Sequence, residues 1–85
     1  MDGTYDAQAG TRFPTTTWRE GYDVAAVDEF VARADRAVSF RDGSVRSEDV
    51  AQVRFSPVRW RTGYDMGAVD THLEQLASQL KDIES

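Results

Sequence analysis

The sequence predicts an all-α protein: two coiled-coil-like helices plus a short helix, with two Gly-Tyr-Asp loop-to-helix repeats. Three observations predict it. The segment from Trp18 to Asp28 (WREGYDVAAVD) returns 42 positions later from Trp60 to Asp70 (WRTGYDMGAVD) with eight identities, so one unit is used twice. Each copy carries apolar residues at alternating steps of four and three after its Gly-Tyr-Asp. Turn-forming clusters then divide the chain into 1–12, a flexible N-terminus; 13–40, repeat 1; 41–46, a turn or linker; and 47–85, repeat 2.

Residues 1–12 are small, polar and aperiodic, which predicts loose attachment. Pro14 and the threonines that follow favour an extended or looped backbone up to Gly21. The first long helix starts after Asp23, whose carboxylate suits an N-cap because it accepts from an unpaired first-turn N–H. Tyr22 before the cap and Val27 after it have the spacing of a hydrophobic staple, and Tyr64, Asp65 and Val69 repeat the arrangement. The seam of the first helix is Val27, Val31, Ala34 and Val38; that of the second is Val69, Leu73, Leu76, Leu80 and Ile83. Arg41-Asp42-Gly43-Ser44 ends the first helix near Val38 to Phe40. Ser47 to Val53 reads as a short helix with a serine cap and acids in its first turn. Pro57 lies in a second loop, from Phe55 to Gly63. Gly21 and Gly63 are read either as tight turns or as a crossing point of two loops, because glycine alone admits a close backbone.

Composition limits the function. A chain of 85 residues has a small core, and without cysteine no disulfide can reinforce it, so oligomerisation is the expected support. A net charge of −5 disfavours nucleic acid, whose binding rests on a basic stripe. No apolar run approaches the ~18 residues of a membrane span and no signal peptide opens the chain, so a cytoplasmic protein is expected. Nine arginines against one lysine, Lys81, suit a GC-rich bacterial genome. Arg54, Arg59 and Arg61 form a local basic stretch that can meet phosphate headgroups.

The repeat holds no nucleophile–base pair, no metal-ligand cluster and no phosphate loop; no cofactor and no enzymatic activity are expected. Asp28 and Asp70 suit the positive end of each helix better than a catalytic pair. His72, the single histidine, stands where the first copy has Phe30 and is read as partly buried packing. Trp18 and Trp60 are a large share of the apolar area of so small a chain, which favours core packing; the rival reading is contact with a membrane or partner. Under that rival the candidate contact residues are Trp18, Arg19, Arg59, Trp60 and Arg61.

Phe55, Arg61, Gly63, Tyr64, Asp65, Val69 and Asp70, preceded by Asp49-Val50, resemble the N-terminal domain of the DivIVA family. The second copy matches from Asp49 through Leu73, and the first from Phe13 to Val31. The resemblance implies a parallel, intertwined coiled-coil dimer that binds membranes peripherally and recruits proteins at cell poles or division sites. An exposed aromatic–Arg pair before the turn enters the bilayer in that family, and Trp18-Arg19 and Trp60-Arg61 would correspond. Glu20 and Thr62 each add a residue between this pair and its glycine. Ala26 and Ala68 replace the family's capping glutamate, and the long C-terminal coiled coil is not in this sequence.

If the two helices are parallel, the chain must return along the first. Sixteen helical residues span roughly 24 Å at about 1.5 Å each. The residues from Ser39 to Tyr64 can cover that distance, so one chain can form an intramolecular pseudo-dimer. An antiparallel hairpin and a homo-oligomer pairing the leucine seams are the rivals, and heptad spacing does not choose among them.

Overall fold

A computed structural model of the chain describes residues 11–85. Its elements are β1 (Thr15–Thr16), β2 (Gly21–Tyr22), α1 (Val24–Phe40), α2 (Ser47–Gln52), β3 (Pro57–Val58), β4 (Gly63–Tyr64) and α3 (Met66–Glu84). The all-α expectation is therefore corrected. The segments read as loops are short strands of one four-stranded antiparallel-paired sheet of order β1-β4-β2-β3, and the fold is mixed α/β.

The sheet is built by exchange between the repeats. Thr15 pairs with Tyr64 and Thr16 with Gly63; reciprocally, Pro57 pairs with Tyr22 and Val58 with Gly21. Tyr22 faces Tyr64 at the centre. Two further hydrogen bonds obey the same exchange: Asp23 N–H donates to Ser56 O at 3.0 Å, and Asp65 N–H to Pro14 O at 2.8 Å. Each first strand thus pairs with the second strand of the other copy, which relates the copies by a pseudo-twofold. Contact distances decide between a tight turn and a crossing point. A Cβ added to Gly21 would lie 2.6 Å from Tyr64 O, and one on Gly63 would lie 2.6 Å from Val58 Cγ2 and 3.1 Å from Tyr22 O. The two loops cross there.

Both long helices leave the sheet directly after their capping aspartates. Asp23 Oδ2 accepts from Ala26 N–H at 2.9 Å and Asp65 Oδ2 from Ala68 N–H at 3.0 Å, so each cap functions without the glutamate that the alanines replace. Val27 and Val31 from the start of α1 share a buried cluster with Val69 from the start of α3. Ala34 and Ala37 lie further along, in a cluster with Leu76 and Leu80. Equivalent heights meet, so the helices run parallel from the sheet. Arg41, in the left-handed conformation, ends α1 with its N–H on Ala37 O.

The helix pair is not a free-standing coiled coil. Of the expected seam, Val27, Val31, Ala34, Val69, Leu76 and Leu80 are buried, while Val38, Leu73 and Ile83 are half-buried. The buried face of α1 is broader than a seam because it also takes in Phe30 and Ala37. Val45 and Val50, from the turn and α2, complete that cluster. Ser47 is not a cap, as the sequence suggested, but the first residue of α2. Arg46 holds the cap position, and its backbone N–H donates to Asp49 Oδ2 at 3.0 Å. Ser47 instead donates its N–H and its hydroxyl to the Glu84 carboxylate, both at 2.8 Å, which ties α2 to the end of α3. Those two bonds, the backbone one first, hold the Glu84 carboxyl below the usual range.

The glycine contacts predict two opposite outcomes in urea unfolding followed by circular dichroism. Gly21→Ala places a methyl against backbone that cannot yield and lowers stability by about 2–3 kcal/mol or more. Gly67→Ala meets only the Asp65 carboxylate at 3.4 Å, inside a helix. It raises stability by up to about 1 kcal/mol.

Candidate functional site

The sheet end of the molecule carries the candidate contact residues. The loop from β1 to β2 holds Trp18 and Arg19, and the loop from β3 to β4 holds Arg59, Trp60 and Arg61. Both loops belong to the sheet at the N-terminal end of the parallel helices, so both indoles stand at one end. Core packing, the reading favoured by their size, is corrected: Trp18 is 91% exposed and Trp60 83%. The apolar layer beneath is built from Tyr64, Val27, Val31 and Val69 instead.

The two tryptophan loops differ. Thr16 Oγ1 accepts from Trp18 N–H at 3.2 Å and closes the first loop locally. The equivalent position in the second copy is Val58, which has no acceptor and is buried. There the chain turns instead through Trp60 at φ 65°, a left-handed backbone unfavourable to a bulky side chain.

The arginines of the tip cross to the other repeat. Arg19 Nη2 lies 2.8 Å from Asp65 Oδ1, and Arg61 Nη2 lies 3.6 Å from Asp23 Oδ1. Each N-cap aspartate therefore serves its helix with one oxygen and the partner loop's arginine with the other. The Ala68 N–H first, and the Arg19 guanidinium second, hold the Asp65 carboxyl below its ordinary value. Arg59 Nη2 is 4.0 Å from Glu20 Oε2. These pairs are largely exposed and individually weak.

Behind the tip, the Gly-Tyr-Asp motif is structural. Gly21 and Gly63 cross, Asp23 and Asp65 cap, and the tyrosines reach over to the other copy's helix. Tyr64 Oη donates to Asp28 Oδ1 at 2.6 Å, and Tyr22 Oη to Asp70 Oδ1 at 2.9 Å. This is the role of Asp28 and Asp70, more specific than the helix-dipole part expected of them. Burial first, and the bond to Asp28 second, hold the Tyr64 hydroxyl above the ordinary phenol range; burial and Asp70 do the same for Tyr22. Phe13 packs edge-on to Tyr64 and His72, with ring centroids at 5.1 and 5.4 Å. Phe55 packs on Tyr22 and Phe30 at 5.5 and 6.0 Å. His72 is thus half-buried against a ring, 3.7 Å from Asp35 Oδ1.

The halves diverge around these tyrosines. Arg12, placed by the sequence in a loose N-terminus, is anchored: its N–H donates to Tyr64 Oη at 3.0 Å, and its guanidinium lies 3.7 Å from Asp28 and 3.3 Å from Asp35. The rest of the N-terminus expected to be loose, residues 1–10, lies outside the described residues. Arg54, the equivalent of Arg12, has Ala77 where Arg12 has Asp35, and turns onto its own neighbour Val53 O at 2.8 Å. A groove of about 500 Å³ is left beside Tyr22, lined by Phe55, Leu73, Asp70 and Glu74 among others. Sequence reasoning missed this site; the replacement of Asp35 by Ala77 was its one legible sign.

Among the described residues no group of three or more His, Asp or Glu is placed to hold a metal, and no helix is long and apolar enough to cross a membrane. A scan against protein-family models and searches of curated proteins and of solved structures find no match to this chain.

Two predictions follow the geometry. Tyr64→Phe removes the hydroxyl that Asp28 and the Arg12 N–H share in a half-buried site and costs about 1–2 kcal/mol in urea unfolding. Tyr22→Phe, at the more open site, costs less. The lowered carboxyls of Asp65 and Glu84 bind protons more weakly folded than unfolded, so they add stability above the unfolded value. That stability falls away on acidification below about pH 4. Thermal melts from pH 7 to pH 2 should show the loss, and Asp65→Asn should flatten part of it.

Proposed function

We propose that this chain is a non-enzymatic assembly module that meets an anionic membrane surface peripherally through its two-tryptophan tip. One observation carries the reading: Trp60 is 83% exposed on a left-handed backbone. An indole there contributes little to the core, and its backbone is unfavourable by about 1–3 kcal/mol, so nothing in folding favours the residue. Tryptophan prefers the headgroup layer, where its ring is apolar and its N–H stays wet. Arg59 and Arg61 flank it, and a cation near an anionic leaflet gains about 1 kcal/mol. The resemblance of both repeats to the DivIVA N-terminal domain supports the same use of Trp18-Arg19 and Trp60-Arg61. It also suggests the setting, bacterial cell division or polar growth at the inner face of the plasma membrane.

A second reading, a protein–protein adaptor without lipid contact, draws on the ion pairs at the tip. Arg19, Arg61 and Arg59 each have a carboxylate within 4.0 Å, from Asp65, Asp23 and Glu20. A surface whose charges are already neutralised suits an aromatic-seeking protein partner better than lipid phosphate. The membrane reading stands ahead because Trp60 and Trp18 protrude together at one end and the pairs of Arg61 and Arg59 are long.

Tryptophan fluorescence during titration with anionic and neutral vesicles separates the two. A blue shift with anionic vesicles, reversed by salt, is expected, and Trp60→Asn should weaken partitioning by about tenfold without loss of stability. Asn tolerates the left-handed backbone, so this variant tests the indole and not the turn. An unchanged spectrum with either vesicle would sink the membrane reading in favour of the adaptor.

A further inference from the structure

The two halves of the molecule display the same site, filled once and left open once. Around Tyr64, Asp28 has a phenol at 2.6 Å and the Arg12 guanidinium at 3.7 Å. Around Tyr22, Asp70 has the phenol at 2.9 Å, and among the described residues it has no guanidinium. Glu74, one turn further along α3, also stands exposed without an ion pair among those residues. Between these carboxylates and α2 lies the groove, with Phe55, Leu73 and Val50 along it. Its one cation, Arg54, is turned onto the Val53 carbonyl.

What the groove lacks is present elsewhere on the molecule. Away from the tip, the large apolar residue exposed among the described ones is Phe40, at 69%. It ends α1 on the face that carries Arg36 and Arg33, four and seven residues before it and both exposed. Arg41 follows directly. None of the three arginines makes an ion pair among the described residues; Arg33 lies over the Phe30 ring at 5.7 Å. The nearby Asp42 is engaged chiefly by the Ser44 N–H and hydroxyl at 3.0 and 2.7 Å, with Arg36 a weaker attraction. A ring with flanking guanidiniums therefore stands at one place, and an apolar groove with an acidic rim at another.

We propose that the groove beside Tyr22 receives the Phe40 end of α1 from a second copy of this chain. Arg36 and Arg33 of the incoming copy face Glu74 and Asp70, supplying the cation that Arg12 supplies around Tyr64. The two surfaces are different patches of one molecule, so the contact is head-to-tail and propagates, giving short chains or a ring instead of a closed twofold dimer. Net charge opposes association at long range, but at physiological salt it is screened beyond about 8 Å, and the local charges are complementary.

Sedimentation velocity on the full chain, from micromolar to near-millimolar protein, tests this. The wild type should show a sedimentation coefficient that rises with concentration and falls back on added salt. Phe40→Ser disables the inserting end and Glu74→Arg disables the groove; both sites are exposed, and circular dichroism checks that the fold is kept. Each variant alone should associate at least about tenfold more weakly. Mixed in equal amounts, the two retain one good end and one good groove between them, so they should form dimers and nothing longer. A wild type that sediments as one monomeric species at every concentration would overturn the proposal. So would variants that associate like the wild type, or a mixture that gains nothing over its components.

Discussion

The close passage of two backbones at Gly21 and Gly63 is the constraint on which everything else in this fold rests. Each loop must cross the other for its first strand to reach the second strand of the other copy. That exchange sets the register Thr15–Tyr64 and Pro57–Tyr22. The register places Asp23 and Asp65 where each can cap its own helix and receive an arginine from the other loop. The parallel start of the helices follows, since both leave the same small sheet from its centre. A side chain at either glycine would push the loops apart and uncouple all of these at once.

Exchange also explains how so short a chain holds together. Two-residue strands are too short to be stable locally, and two or three heptads make a weak coiled coil. Here each of these marginal pieces is tied to a segment about forty residues away, so none has to be stable alone. The same logic makes tyrosine useful after each glycine. Its ring fills the junction beneath the sheet, and its hydroxyl ends on an aspartate of the other helix, joining sheet and helices with one side chain.

The helices, the caps of the two long ones and the repeat were legible in the sequence because each is written locally: Asp23 and Asp65 before apolar periodicity, and a turn cluster after Phe40. The sheet was not. Thr15–Thr16 and Pro57–Val58 show no alternation that marks a strand, and their partners are specified only by the crossing. Extended backbone around Pro14 and Pro57 was readable, but its pairing was not. Trp18 and Trp60 misled for a different reason. Size argues for burial, but the apolar layer beneath the sheet is built from Tyr64 and valines instead. Arg12 looked like part of a polar tail, because nothing near it in sequence reveals Asp28, Asp35 or the Tyr64 hydroxyl.

Duplication inside one chain permits what a symmetric dimer forbids, namely a different fate for each copy of a site. In a true twofold dimer, a change from Asp35 to alanine would open both sides or neither. Here Asp35 holds Arg12 down over Tyr64, while Ala77 releases Arg54 and leaves the groove beside Tyr22. Likewise Thr16 closes one tryptophan loop, and the other, with Val58 in its place, passes through a left-handed turn at Trp60. In both cases one copy keeps the arrangement that satisfies its own polar groups, and the other gives it up at an exposed surface. Of each duplicated pair, it is the second repeat's loop and helix face that keep the strained backbone and the unpaired carboxylates. Those are the places where an outside surface has the most to stabilise, so Trp60 and the acidic groove are better candidates for binding than their satisfied twins.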